Sequence, residues 1–361
     1  MGMEREKCVT SLLMVVFFFL SWLLVRQRGP KPALGAPGAP PRAWALHGRG
    51  TASELLLAAR AGSLEGVRSL LDRGAPLGAA NNMGLTPLIM AATGGHAGVV
   101  RELLARGAAV DARDTYGGTA LLAAAMGRYE GGNGQGTMTE GHRECLLALL
   151  AAVPPPNVHH RKIGNGDTAL SLAARRNDLA AVRALLDAGS EVNVYDKEGK
   201  TPLLYALEEG RKEMRDLLLA RGADVNYAER DDNFGALMRA AEWSDVPLAR
   251  LLIERGANVN ASGLWDRRTS LMRAAVRNDL EMVRLLCDKG AGLDASHNDG
   301  LTALMFAAQE GHAGVVAELL ARGADTGVKS GWRHDGSTAR GLAEAAGKAD
   351  VVKLLEAAKA P

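Results

Sequence analysis

The sequence predicts an all-α repeat solenoid, in which helix-turn-helix units are linked by β-hairpin fingers. A glycine that follows a leucine pair recurs at steps of 33 or 34 residues, with one longer gap of 82 residues. A threonine-led tripeptide keeps the same step. Aromatic residues make up only 4% of a chain that is 47% hydrophobic, so alanine and leucine must supply most of the packing surface. These observations predict about nine units, caps included, along most of the 361 residues.

The first helix of a unit is predicted to begin at the threonine of the tripeptide. Threonine caps a helix because its hydroxyl accepts a hydrogen bond from a first-turn N–H, and proline is tolerated at the next position because its N–H is missing. An alanine pair follows in most units, and lets neighbouring helices approach closely. The copies of the tripeptide begin at Thr86, Thr119, Thr168, Thr201, Thr269 and Thr302, with a degenerate copy at Gly235.

The second helix of a unit is predicted from leucine and valine residues that recur on one helical face. In the second unit these are Val99, Val100 and Leu103. Gly107 follows, and can adopt the left-handed conformation that ends a helix. The chain then extends into a hairpin whose tip carries an Asp-x-x-Gly turn, as in residues 196–199.

These motifs resemble the ankyrin repeat, and the resemblance covers residues 53–361. Atypical units at 53–80 and 329–361 are expected to be caps, as terminal repeats usually are. An insertion at 129–141 accounts for most of the longer gap. The histidine that the family usually places after the threonine tripeptide is replaced by Ile, Leu, Ser or Met, which predicts apolar packing there. The resemblance implies a protein-binding role.

The N-terminus divides into a tail at 1–8, a hydrophobic segment at 9–25 and a Pro/Gly/Ala/Arg-rich linker at 26–52. The hydrophobic segment has seventeen residues without a charge, about 25 Å as a helix, which is at the short end of what crosses a bilayer. The nearest A-x-A cleavage motif, at 43–45, lies far downstream, which favours an uncleaved signal anchor. More Lys and Arg follow the segment than precede it, which favours a cytoplasmic repeat domain. A cleaved signal and a periplasmic or secreted protein form the alternative.

The charge and the cysteine content restrict the possible functions. Residues 1–50 carry seven Lys/Arg against two Glu, whereas the remainder carries 36 Lys/Arg against 39 Asp/Glu. A mildly acidic body repels phosphate backbones over most of its surface, so we expect no nucleic-acid partner. Three widely spaced cysteines indicate neither a disulfide framework nor a metal site. A single layer of helix pairs encloses no deep pocket, so we expect no enzyme activity, no cofactor and no small-molecule substrate.

We therefore expect a protein-binding module tethered to a membrane, which contacts its partner through the concave face and the fingers. The alternative is an exported soluble protein of the same family that supports or inhibits an enzyme. Aromatic residues of the fingers are the first candidate contacts: Tyr116, Tyr195, Tyr227, Trp265 and Trp332. Residues after the alanine pairs are the second set: Arg175, Arg176, Glu208, Glu209, Glu242, Trp243 and Arg277. The competing interpretation is that the rings fold onto the next finger and that the charges pair between repeats.

Overall fold

The computed structural model describes residues 50–127, 138–228, 234–331 and 336–358. The predicted tail, hydrophobic segment and almost all of the linker lie outside these ranges, as does most of the predicted insertion. The described residues form eighteen helices, which pair into nine units. The prediction of an all-α solenoid is thereby confirmed.

The helices are numbered in chain order, so that units 1 to 9 contain α1–α2 through α17–α18. Their bounds are α1 Thr51–Ala61, α2 Leu64–Asp72, α3 Pro87–Gly94, α4 Ala97–Ala105, α5 Ala120–Met126, α6 Glu140–Leu150, α7 Ala169–Arg175, α8 Leu179–Asp187, α9 Pro202–Glu208, α10 Lys212–Ala220, α11 Ala236–Glu242, α12 Val246–Glu254, α13 Ser270–Val276, α14 Leu280–Asp288, α15 Ala303–Glu310, α16 Ala313–Ala321, α17 Ala339–Ala345 and α18 Ala349–Ala357.

The first helices begin as the sequence predicts. The Thr86 hydroxyl accepts a hydrogen bond from the N–H of Ile89 at 3.3 Å, and Pro87 occupies the first helical position. The same cap recurs at the other threonines, and α11 alone among the described first helices of units 2 to 9 begins at a glycine, Gly235, without a side-chain cap. The alanine pairs, such as Ala91-Ala92, are fully buried where neighbouring first helices meet.

The position after the tripeptide, where the family usually has histidine, shows the apolar packing that we predicted. Six of these residues are apolar and buried, and Ser171 instead completes a capping box with Thr168. The apolar six are Ile89, Leu122, Leu204, Met238, Met272 and Met305. Apolar burial therefore replaces the missing hydrogen bonds.

The fingers are named by the unit that each precedes, from finger 2 to finger 9. Within the described residues they form turns rather than β-strands, with isolated antiparallel bridges at Ala228–Gly235 and Ser262–Thr269. Short arms give no room for a longer ladder. Among the described residues, five fingertips instead donate a backbone hydrogen bond to the preceding fingertip: Thr115 to Met83, Ile163 to Tyr116, Lys197 to Asn165, Asn298 to Asp266 and Gly331 to Asp299.

The finger bases are joined by asparagine side chains. The amide of Asn226 donates to the Gly256 carbonyl at 3.0 Å and accepts from the N–H of Asn258 at 2.7 Å. Asn260 makes the same pair of bonds with Gly290 and Gly292. Fingers 7 and 8 are thus linked both at the tip and at the base.

Two boundaries differ slightly from those expected. Helix α1 begins at Thr51, two residues before the expected cap. Glu140 and Gly141, which we assigned to the insertion, lie in the first turn of α6. A side chain at Gly141 would overlap the Gly95 carbonyl oxygen, so a glycine is needed there because α6 lies directly against the turn of unit 2.

No helix in the described ranges combines the length and the hydropathy that a membrane crossing requires.

Candidate functional site

Large exposed apolar side chains concentrate on the fingers. Of the eight such residues in the described ranges, five lie in fingers, one in a turn between helices and two on helices. Tyr116 in finger 3 and Trp265 in finger 7 are among them, and Trp265 is 72% exposed. Their exposure makes these side chains accessible to a binding partner.

Two further fingertip residues escaped the sequence analysis. Ile163 is 67% exposed, and its N–H bonds the Tyr116 carbonyl at 2.9 Å, so the two side chains belong to adjacent fingertips. Leu264 is 61% exposed and precedes Trp265. The sequence signal was an apolar residue inside a glycine-rich or charged turn, where no helical or strand pattern requires one.

The rings of Tyr195 and Tyr227 pack against each other instead of extending into solvent. Their centroids lie 5.7 Å apart with planes 25° from parallel. Arg161 lies 4.9 Å from the Tyr195 ring centroid and donates to the Tyr195 carbonyl at 2.8 Å. For this pair the competing interpretation, in which a ring folds onto the next finger, describes the packing. Trp332 lies outside the described residues.

The candidate charges on the first helices are compensated within the chain. Arg175 lies 3.0 Å from the Asp167 carboxylate, and Glu208 lies 2.7 Å from Arg239 and 3.0 Å from Lys200. The Glu208–Arg239 pair connects units 5 and 6, as the competing interpretation expected, whereas the other two pairs each join a first helix to the finger before it. Their use by a partner stays a prediction.

Glu242 is held in the same way between two arginines. Arg273 lies 3.2 Å from its carboxylate, and Arg277 also bonds it. Burial works against ionisation, but the hydrogen bonds from Arg277 and Arg273 outweigh it and hold the pKa of Glu242 below its usual value. The Arg273 guanidinium also lies 4.5 Å from the Phe234 ring centroid, with Arg239 at 4.9 Å from the same ring. The arginines of units 6 and 7 are therefore positioned by contacts within the chain.

Glu209 and Arg176, the second members of their pairs, lie at the turn ends of their helices. Glu209 is exposed and lies 3.8 Å from Arg211. Arg176 is half-buried and lines a groove of about 360 Å³ between units 4 and 5, with Lys162, Lys197 and other residues. This groove is polar. Its two buried carboxylates form hydrogen bonds within the chain, as the pairing of Asp167 with Arg175 shows.

Trp243 stands at the end of α11, where the chain turns toward α12. It is 45% exposed and forms one wall of a groove of about 330 Å³ at the junction of units 5 and 6. Leu207 and Leu248 contribute the apolar part of this groove, and Lys212 lies at its edge. Of the candidate residues that the structure describes, Trp243 is the one that combines an exposed aromatic ring with a groove.

Histidine, cysteine and carboxylate side chains are the groups that could hold a metal ion or act as nucleophiles. No group of three or more His, Cys, Asp or Glu side chains there is arranged to hold a metal ion. Cys145 is buried, and burial raises the pKa of its thiol to about 12, so its nucleophilic thiolate is scarce near neutral pH. Cys145 and Cys287 are both free thiols.

Comparison with known proteins identifies the repeat. The family model for ankyrin repeats matches three times, at residues 55–132, 137–229 and 237–330. The chain is 36% identical over 109 residues to the B-cell lymphoma 3 protein homolog of Mus musculus, covering 29% of this chain and 24% of that protein. It is 36% identical over 100 residues to the E3 ubiquitin-protein ligase KEG of Arabidopsis thaliana, covering 28% and 6%.

A third relative is the cyclin-dependent kinase 4 inhibitor B of Bos taurus, 39% identical over 66 residues, which are 18% of this chain and 50% of that protein. The chain thus spans half or less of the length of each of these relatives, and the likeness lies in the repeats. The three family-model matches cover most of the described helices. The chain belongs to the ankyrin-repeat family.

Proposed function

We propose that this chain is a protein-binding module that is held at a membrane by residues 9–25 and captures a partner through its fingers and first helices. The observation that supports it most is the concentration of exposed apolar side chains on fingers 3, 4 and 7. A surface of this kind is costly to leave in water unless a partner covers it. The proposal assigns binding without a catalytic step.

The apolar fingertips are expected to supply most of the binding energy. The charges of the first helices are already paired at 2.7 to 3.2 Å, so a partner would gain little by competing for them. Trp265 and Leu264 are 72% and 61% exposed, so most of their apolar surface lies in solvent. Aromatic anchors of this kind dominate interfaces, with losses of about 2 kcal/mol or more on truncation.

The double substitution Leu264→Ser, Trp265→Ser is expected to weaken capture of the native partner at least about thirtyfold, which corresponds to ~2 kcal/mol. Capture is measured by co-purification from the native cells, followed by titration of the recovered partner. The thermal unfolding midpoint should change little because both side chains are exposed.

Leu147→Ser is the matched control, since Leu147 is an equally apolar residue exposed on α6 rather than on a finger. Retained capture in the finger variant, or equal loss in both variants, would reject the fingertips as the contact.

Membrane attachment is supported by the charge-free run at 9–25 and by the distribution of Lys and Arg around it. In this proposal the repeats lie in the cytoplasm and recruit or sequester the partner at the bilayer. The alternative is an exported soluble protein that supports or inhibits an enzyme. One relative is named an inhibitor of cyclin-dependent kinase 4, so inhibition of an enzyme by binding is a mode that this second candidate could share.

A C-terminally tagged chain is expected to remain in the membrane pellet with its full-length mass. Deletion of residues 9–25 should move it to the soluble fraction, because the remaining sequence has no comparable apolar run. Fractionation with intact mass measurement checks both. A soluble product that has lost residues 1 to roughly 45 would instead support the exported alternative.

A further inference from the structure

The junctions between units differ in one contact. In some of them, a side chain of one unit donates a hydrogen bond to a carbonyl at the turn of the preceding unit. In four junctions a ring nitrogen or guanidinium at the start of the second helix donates to a carbonyl at the end of the preceding first helix. These donors are His96 to Arg60, His142 to Thr93, Arg211 to Ala174 and Arg175, and His312 to Val276. The distances lie between 2.8 and 3.0 Å.

The junction of units 5 and 6 lacks this contact, as do the junctions before units 4 and 7, where Asp178 and Asp279 hold the equivalent position. The equivalent residue between units 5 and 6 is Asp245, whose carboxylate has no proton to donate and instead accepts from the N–H of Leu248 at 2.9 Å. The carbonyl in the equivalent position belongs to Glu208. The groove of about 330 Å³ opens at this place, with Trp243 as one wall.

The glycines in the turns between the two helices of a unit show independently whether a side chain of the next unit lies against the turn. A Cβ on Gly62 would lie 2.5 Å from the His96 ring, and one on Gly311 would lie 2.7 Å from Lys348. The equivalent glycine of unit 5, Gly210, would meet nothing within 4 Å. The space that His96 fills beside Gly62 and Lys348 fills beside Gly311 is therefore empty beside Gly210.

We propose that this groove receives an aromatic side chain bearing an N–H or O–H donor, carried by an acidic segment of the protein partner. The ring would stack on Trp243, contact Leu207 and Leu248, and donate to the Glu208 carbonyl, as histidine rings do at other junctions. This inference rests on the proposed function, because the partner supplies the ring.

The charges at the groove favour an acidic partner segment. Its two carboxylates are engaged within the chain, Glu208 by Arg239 and Lys200 and Asp245 by a backbone amide. Lys212 is exposed at the edge of the groove, and no described carboxylate pairs with it. A carboxylate beside the aromatic residue of the partner would complement this ammonium group.

The test is a ligand-observed NMR titration of the full chain in lipid nanodiscs, with empty nanodiscs subtracted. The probe is indole-3-propionate, which has a flat ring, an N–H donor and a carboxylate. Its 1-methyl analogue, which lacks the donor, should bind about fivefold more weakly, the worth of one net hydrogen bond. Tryptamine, with an ammonium in place of the carboxylate, should bind at least about threefold more weakly.

Asp245→His should close the groove by supplying the donor that other junctions have, and should remove detectable probe binding. The matched control is Asp279→His, the same change at the junction of units 6 and 7, which should leave the affinity unchanged. The loss of the Asp245 cap is tolerable because the helices after His96 and His312 begin without a side-chain cap. Lys212→Glu, an exposed change, should lower the affinity for indole-3-propionate at least about threefold and favour tryptamine.

Equal binding of the two indoles, or unchanged binding in Asp245→His, would overturn the inference. So would probe binding without any loss of partner capture in Asp245→His, since the partner would then not use the groove. The proposed function fails separately, if the fingertip variant Leu264→Ser, Trp265→Ser retains capture.

Discussion

Gly300→Ala is expected to lower the free energy of unfolding of the C-terminal units by about 3 kcal/mol. Gly300 has φ of +76°, in the left-handed region that disfavours side chains. A Cβ there would also lie 2.6 Å from the Gly331 nitrogen and 3.1 Å from the Ser330 carbonyl carbon. Both neighbours are backbone atoms of finger 9, which the bond from Gly331 to Asp299 holds at 2.7 Å. Urea denaturation followed by circular dichroism measures the loss.

Gly290→Ala separates the two causes of this loss. Gly290 has φ of +84° in the same region of the chain, but a Cβ there would meet nothing within 4 Å. We therefore expect only the conformational cost, about 1 kcal/mol. Hydrogen exchange should increase in units 8 and 9 for Gly300→Ala, because each unit contacts only its neighbours. Equal losses in the two variants would show that the contact between fingers 8 and 9 contributes nothing.

Leu146→Ala is expected to lower the free energy of unfolding by about 2–5 kcal/mol. Leu146 is fully buried on α6, which packs against the helices of its own unit and of both neighbouring units. The truncation leaves a cavity that the short helices cannot fill without shifting. The midpoint of urea denaturation, at unchanged slope, gives the difference.

The next residue provides the control. Leu147 has the same side chain on the same helix but is 45% exposed. Leu147→Ala should change the stability by less than about 1 kcal/mol, because alanine is also the better helix former. If the two substitutions cost the same, burial in the stack would not be what stabilises unit 3.

The sequence was sufficient for the fold because each unit is specified locally. Thr86 and Pro87 begin a helix by their own chemistry, and the alanine pair identifies the face that must pack. The fingers were less predictable. The same residues are compatible with a β-hairpin and with a turn that carries a single bridge, such as Ser262–Thr269. The choice between them depends on contacts with the next finger.

The site was predictable in its residue types but less so in their contacts. Exposure of Trp243 and Trp265 could be inferred from their positions in the repeat. The stacking of Tyr195 on Tyr227 could not, because it depends on the spacing of two fingers in three dimensions. Likewise, the pairing of Glu208 with Arg239 links residues 31 positions apart on different first helices. Sequence reasoning identified the charged residues but could not decide whether they pair within the chain or contact a partner.

The residue at the start of the second helix, which either donates a hydrogen bond to the preceding unit or cannot, has a consequence for how such arrays diversify. Histidine codons and aspartate codons differ only in their first base, so a single C-to-G change converts a donor such as His312 into the kind of residue found at Asp245. The repeat length, the helices and the fingers need not change. The hydrogen bond between neighbouring units can therefore be gained or lost through point mutations that leave the architecture intact.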